Sequence, residues 1–292
     1  MNISTKYHIP ARQIDFVNIN LTKDNKLFID PYRIKAGKDK FSKRCYTRIE
    51  DFLNLLVELV KKKKYQTVLE IIDHFYERNE TRLGYSLDTV YGKSFGGNSG
   101  TELIRLLSKD NLLESGFIED IFDFLMLIPN IGEDKVSDFI TTIIFLDLVE
   151  YTSEQCELWK IPTAEIVLKK FCWNADLNMW IKQEAELPVY NGKPIVFVPK
   201  SFVGKDYIFS YDKLYRDVII PLYKQLEDVN IESKFVVTYK NGRKHVLGNE
   251  LRKEYPCTKY VILDFIRKYD ALYREYKAKK LKLIFMAPFH QR

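Results

Sequence analysis

Between Glu133 and Pro199 the spacing of apolar residues changes, and that change narrows the fold more than any other feature of the chain. Val136, Phe139, Ile140, Ile143 and Tyr151 recur at helical spacing, which predicts a long helix over 133–159 with a break near Tyr151. Three strand patterns follow, at 164–173, 179–189 and 194–199. Turn residues separate them: Asn174–Asn178, and Tyr190-Asn-Gly-Lys193, whose Asn-Gly pair suits a two-residue hairpin loop. A helix at 212–228 with Pro221 as a kink, then a strand at 234–239, continue the run. A turn at Lys240-Asn-Gly-Arg243, a basic helix at 258–279 and a short apolar segment at 281–286 close the chain.

The half before this run reads as mainly helical. Short strands are expected at 14–21 and 26–29, the second ending in Asp30-Pro31. An Asp-Pro step there starts a turn, or else projects Asp30 into a site. Thr47 and Glu50 have capping-box spacing ahead of a stripe of Ile49, Phe52, Leu53, Leu56 and Val60, so a helix is expected to start there, with Lys61–Lys64 at its carboxyl end. A second helix is expected at 67–79, with His74 as a structural histidine. A Gly-rich stretch at 83–100 precedes a helix near Thr101, and another helix is expected at 118–127. Gly92-Lys93-Ser94 hints at a nucleotide loop, but Leu87 stands where that motif needs Gly, which excludes it. A surface loop and a phosphate-binding loop that uses Lys93 both remain open. The fold class is therefore mixed α/β (α+β), with a helical region over 1–115 and an α-β-β-β-α-β core over 116–292.

At 292 residues the chain suits one large or two modest domains. No run of 18 apolar residues suggests a membrane span, and the first residues lack a secretory signal pattern. Cys45, Cys156, Cys172 and Cys257 are scattered, which fits buried thiols in a reducing cytoplasm rather than a zinc cluster. Charge is uneven. From Ile231 onward 15 Lys and Arg face 6 Asp and Glu, giving +9, against 31 and 34 before it, giving −3. Such a basic end suits a polyanion, or is a solvated helix surface. Arg243, Lys244, Arg267 and Arg274 are its candidate nucleic-acid contacts, and tyrosines of the same helix are candidates for stacking on bases.

The chemistry-bearing residues gather in the same central window. Asp134 and Asp138 are one helical turn apart and share a face. Strand alternation puts Lys182, Glu184 and Glu186 on one face, and Lys193 and Lys200 bracket the next apolar run. Phosphodiester hydrolysis needs a hard cation on carboxylate oxygens and a cationic group near the developing charge. Mg²⁺ held by Asp134 and Asp138, or by Glu184 and Glu186, with Glu184, Glu186 and either Lys193 or Lys200 as catalytic groups, would meet that need. An exposed, salt-bridged strand face is the competing account of Lys182, Glu184 and Glu186. There is no Gly-x-Ser-x-Gly elbow, no Gly-x-Gly-x-x-Gly after a strand, and no evident His pair with Cys or Ser.

Three resemblances bear on these residues. Leu-Ile-Pro129-Asn130-Ile131-Gly132 and the helix after it resemble the helix-hairpin-helix motif, which implies phosphate contacts from the turn at Asn130, Gly132 and Lys135. Asn130 replaces the usual first Gly, and Glu133 and Asp134 follow it. A helix amino end is an anion site; the alternative is a purely structural turn whose helix Glu133 and Asp134 cap themselves. The element order over 133–239 resembles the core of the PD-(D/E)xK nuclease superfamily. No acid stands two residues before Lys193 or Lys200, where Asn191 and Val198 lie. Phe-Ile-Asp-Pro (28–31), the 128–138 segment and Gly-Lys-Pro-Ile-Val-Phe-Val-Pro-Lys (192–200) together resemble a set of uncharacterised bacterial proteins. The expectation is a cytoplasmic, metal-dependent DNA or RNA nuclease of bacterial or phage origin, in antiviral defence or a mobile element, with a protein partner or self-association open. The alternative is a non-catalytic nucleic-acid-binding or complex-forming subunit; a partner-regulated toxin or sensor is a third.

Overall fold

The computed structural model describes residues 1–23, 25–84, 98–109, 123, 132–230 and 232–286. It is mixed α/β, as the change of period predicts, but its strands are short antiparallel pairs rather than one sheet.

A short helix α1 (Ile3–Lys6) and strand β1 (Phe28–Ile29) lead into α2 (Pro31–Ala36). Asp30 resolves the Asp-Pro question as a cap. It is fully buried, and its carboxylate accepts from the amides of Tyr32 at 2.9 Å and Ile208 at 2.8 Å, with Pro31 at the position where a missing N–H costs nothing. The long helix α3 (Lys40–Lys61) starts seven residues before Thr47. Asp39 accepts from the Ser42 amide at 2.8 Å, and this cap outcompetes the Thr47–Glu50 pair, which lies inside the helix. The expected stripe is buried, joined by Cys45. Next is α4 (Tyr65–Ile72), shorter than expected; His74 follows it, half-buried, its ring stacked on Trp180. Helix α5 spans Asn98–Lys109. The 118–127 helix and the Gly-rich stretch fall almost wholly outside the described residues.

The 133–159 helix is two helices, α6 (Glu133–Ile143) and α7 (Phe145–Trp159). The break is at Ile144, with φ −93° and ψ 14°, not at Tyr151, which is buried inside α7. Ser137 of α6 accepts from the Ile29 amide at 2.9 Å and so pins β1 to the helix.

The first two expected strands form one bent hairpin. In it β2 (Ala164–Val167) pairs with β5 (Glu184–Leu187), and β3 (Cys172–Asn174) pairs with β4 (Met179–Ile181). Lys169 and Lys170 fall at the bend. The Asn191-Gly192 turn forms between β6 (Val189–Tyr190) and β7 (Lys193–Pro194), with φ 51° and 72° as a type I′ loop requires. The apolar run Ile195–Val198 is buried on all sides, and its amides find mixed partners. Val196 donates to the Glu80 carbonyl and Phe197 to the Thr152 hydroxyl, both at 2.8 Å. The Val198 carbonyl accepts from the Val17 amide, also at 2.8 Å, which makes a seam through the core instead of a sheet strand. Phe16 stacks on Phe197 at 4.1 Å across that seam. Strand β8 (Val203–Gly204) then pairs with β1.

After α8 (Tyr211–Leu214) the chain makes a π turn at Tyr215–Ile219 before α9 (Ile220–Val229). The extra residue per turn is the local answer to Pro221, which has no N–H for the ladder. Strands β9 (Val236–Thr238) and β10 (Lys244–Val246) form a hairpin, followed by α10 (Gly248–Glu254), α11 (Lys259–Lys268) and α12 (Asp270–Met286). The expected 258–279 helix is thus broken at Tyr269, and the 281–286 segment continues α12. Lys277 of α12 forms a buried ion pair with Asp123, which also accepts from the Tyr32 hydroxyl. Among the described residues no helix is long and apolar enough to cross a membrane. Cys45, Cys156 and Cys172 are buried thiols and Cys257 is exposed.

Candidate functional site

Helix α6 packs against the extended segment after α4. Thr142 donates to the Tyr76 carbonyl at 3.2 Å, and Gly84 lies close enough that a Cβ there would stand 3.5 Å from Asp134 Oδ1. One turn of α6 presents Asp134 and Asp138 to this segment, which carries Glu77. From the bend of the long hairpin Lys170 reaches in, and its Nζ donates to the Glu77 carbonyl. Three carboxylates and one ammonium, from three separate stretches, form a half-buried cluster.

The electrostatics follow from that crowding. Burial, then the charges of Asp134 and Glu77, push Asp138 up to about 8, with Lys170 opposing. Glu77 is raised by burial and by Asp134, again with Lys170 opposing. Asp134 is raised by burial, against Lys135. Burial lowers Lys170, while Glu80, Glu77 and Asp138 support its charge. The Tyr207 phenol, fully buried and near the same acids, is raised well above its ordinary value and donates to the Glu133 carbonyl at 2.8 Å.

Beside this cluster opens a cleft of about 800 Å³. One wall is the 76–82 segment and the other is β2 with the bend after it; the β6–β7 turn closes one side. Glu77 and Lys170 belong to both the cleft lining and the acid cluster.

The sequence-derived candidates distribute as follows. Asp134 and Asp138 are in the cluster. Glu184 and Glu186 are exposed on β5, where Glu186 pairs across from Glu165. Lys193 is exposed at the β6–β7 turn and lines the cleft. Lys200 ties down the chain start, donating to the Ile14 carbonyl at 2.6 Å. Gly132 precedes α6 with an extended backbone, and Lys135 is half-buried on that helix. Arg243 and Lys244 are exposed at the β9–β10 hairpin and Arg267 is exposed on α11, whereas Arg274 bonds Asp270 at 2.8 Å. Lys93 and Asn130, and with Asn130 most of the hairpin-like turn, lie outside the described residues. Glu77 and Lys170 are the members of the cluster that sequence reasoning misses; the charged Lys169-Lys170 pair interrupting an apolar strand pattern is the signal that could have found one of them.

Carboxylate oxygens of this kind suit a hard cation. Among the described residues, however, no group of three or more His, Cys, Asp or Glu stands in metal-holding geometry.

No curated protein and no solved structure matches the chain. A family model does match, over residues 8–210. That span holds the acid cluster and the cleft and stops at Ser210, the cap of α8, leaving the basic end outside it. The chain therefore belongs to the family described as Domain of unknown function (DUF8370).

Proposed function

We propose that the protein is a Mg²⁺-dependent nuclease whose centre is the cluster of Glu77, Asp134, Asp138 and Lys170. The observation that carries this reading is the convergence of three carboxylates on one ammonium beside an open cleft. Mg²⁺ binds through only one or two carboxylates, with waters and substrate phosphate completing its shell. Asp134 and Asp138 would hold it, and bound there it would polarise the scissile phosphate and activate a water. Lys170 sets its ammonium where negative charge develops. Glu77 orients the attacking water and, with the carboxylates ionised, accepts its proton. Asp138 retains its own proton at neutral pH until a positive charge displaces it.

Cleavage of plasmid DNA and of single-stranded RNA in Mg²⁺ and Mn²⁺, with EDTA as control, tests this. Activity that Asp138→Asn and Lys170→Met each abolish supports it. A wild-type protein that binds nucleic acid but cuts none under any of these conditions overturns it. That result would leave the second reading, a nucleic-acid-binding subunit, which the exposed Arg243, Lys244 and Arg267 of the basic end favour.

A further inference from the structure

The cleft beside the acid cluster differs in character along its length. Ile166, Val167 and Pro194 give it apolar wall, whereas the Tyr190 ring is taken up by two cations, Lys6 at 4.9 Å and the Arg82 guanidinium at 5.5 Å from its centroid. Lys169, from the bend after β2, and Lys193, from the β6–β7 turn, stand exposed in its lining, which also holds Glu80 and Glu165. Its volume of about 800 Å³ lies in the range that encloses a small ligand, about 300–1,000 Å³. A stacked duplex, with its bases paired inside and two phosphate backbones outside, cannot present a base to such walls. An unpaired strand can, because its bases are free to turn onto apolar surface while its phosphates meet lysines.

We propose that this cleft binds single-stranded nucleic acid and selects it over duplex, with Lys169 and Lys193 on the phosphates and the 166–167 and Pro194 surfaces on the bases. The proposal deepens the nuclease reading and rests on it for what happens next. The cleft shares Glu77 and Lys170 with the acid cluster, so a strand lying in it has a phosphate brought to the carboxylates. Duplex is excluded by shape, before any chemistry.

Fluorescence anisotropy with a labelled twelve-nucleotide single strand, and with the same strand annealed to its complement, tests this on the full chain in EDTA, where cleavage plays no part. The expected result is at least tenfold tighter binding of the single strand. The Lys169→Glu, Lys193→Glu double variant should bind the single strand at least tenfold more weakly and flatten the salt dependence by roughly 1.4, about 0.7 for each phosphate that no longer meets a lysine. Lys61→Glu, at the far end of α3, should change affinity by less than twofold. Circular dichroism checks that the double variant is folded; if it is not, Val167→Asp, at an exposed site on β2, replaces it with the same expected loss. Equal affinity for duplex, or a folded variant that binds as the wild type does, overturns the proposal. The two readings separate cleanly. Tight, cleft-dependent single-strand binding without cleavage in Mg²⁺ or Mn²⁺ sinks the nuclease and keeps the cleft, whereas cleavage indifferent to strandedness and to the double variant does the reverse.

Discussion

Lys170 donates from its Nζ to the main-chain carbonyl of Glu77, bridging two segments that are 93 residues apart in the chain. The contact holds an ammonium beside three carboxylates, and among the described residues it is the cation that opposes the rise of both Asp138 and Glu77. Lys170→Met keeps most of the apolar stem but removes the charge and the donor to Glu77. The carboxylates should then rise further, and cleavage should fall by about 10²–10³ because the group that meets developing negative charge is gone. A pH–rate profile shifted to higher pH on its acid limb, together with the loss, checks the assignment; a purely structural lysine would leave the profile in place.

Asp138 supplies a pH prediction whose sign is fixed by the direction of its shift. Its folded value of about 8 exceeds the ordinary carboxylate value near 4, so the folded state holds a proton that the unfolded state has released. The contribution of this carboxyl to stability is therefore full below about pH 4 and is lost as pH rises towards 8. Asp138→Asn removes that dependence. Thermal unfolding should show the variant gaining on the wild type between pH 5 and pH 8, by about 2–4 °C for each kcal/mol relieved. Added Mg²⁺ should narrow the gap by stabilising only the wild type. Parallel melting curves across this range would remove Asp138 from the set of buried, crowded acids.

What the sequence disclosed, and what it did not, divides along the range of the interactions. The Asn191-Gly192 turn was legible because its φ > 0 demand is local. The buried stripe of α3 was legible because helical period is local too. The start of α3 was misplaced because two valid caps compete, and only the fold shows that Asp39 and Ser42 win. Ile195–Val198 has a strand's composition but is a seam, since the Ile195 amide closes the adjacent hairpin on Pro188 while those of Val196 and Phe197 are claimed by Glu80 and Thr152 from distant segments. The acid pair Asp134 and Asp138 was visible as a spacing. Glu77 and Lys170 were not, because nothing local to either residue says that the two meet each other beside α6.

Glu186 and Lys200 illustrate the same distinction and can be tested apart. Glu186 is exposed and faces Glu165 across the β2–β5 pair, so like charges stand opposite each other. Glu186→Ala should leave cleavage within twofold and alter stability by less than about 0.5 kcal/mol. Lys200 instead bonds the Ile14 carbonyl at 2.6 Å and holds the chain start against the core seam. Lys200→Ala should cost about 1–2 kcal/mol in urea unfolding, with a rate per folded molecule unchanged. A Glu186→Ala protein that is stable yet inactive would return that residue to the centre.

The buried pair of Lys277 with Asp123 joins α12, in the basic end, to a residue within the family-matched span, and the Tyr32 hydroxyl completes the carboxylate's partners. Both charges are removed from water, so the loss of one leaves the other stranded. Lys277→Met should therefore destabilise the protein by about 3–5 kcal/mol in urea unfolding, whereas a Lys277→Met, Asp123→Asn double variant should recover much of that loss, because the amide carries no charge and still accepts from Tyr32. If the single and double variants unfold at the same urea concentration, the penalty comes from poorer packing at α12 rather than from a buried unpaired carboxylate. In that case the attachment of the basic end to the family-matched region rests on Tyr273 and Tyr276, which pack on Phe209 at 5.9 and 5.8 Å.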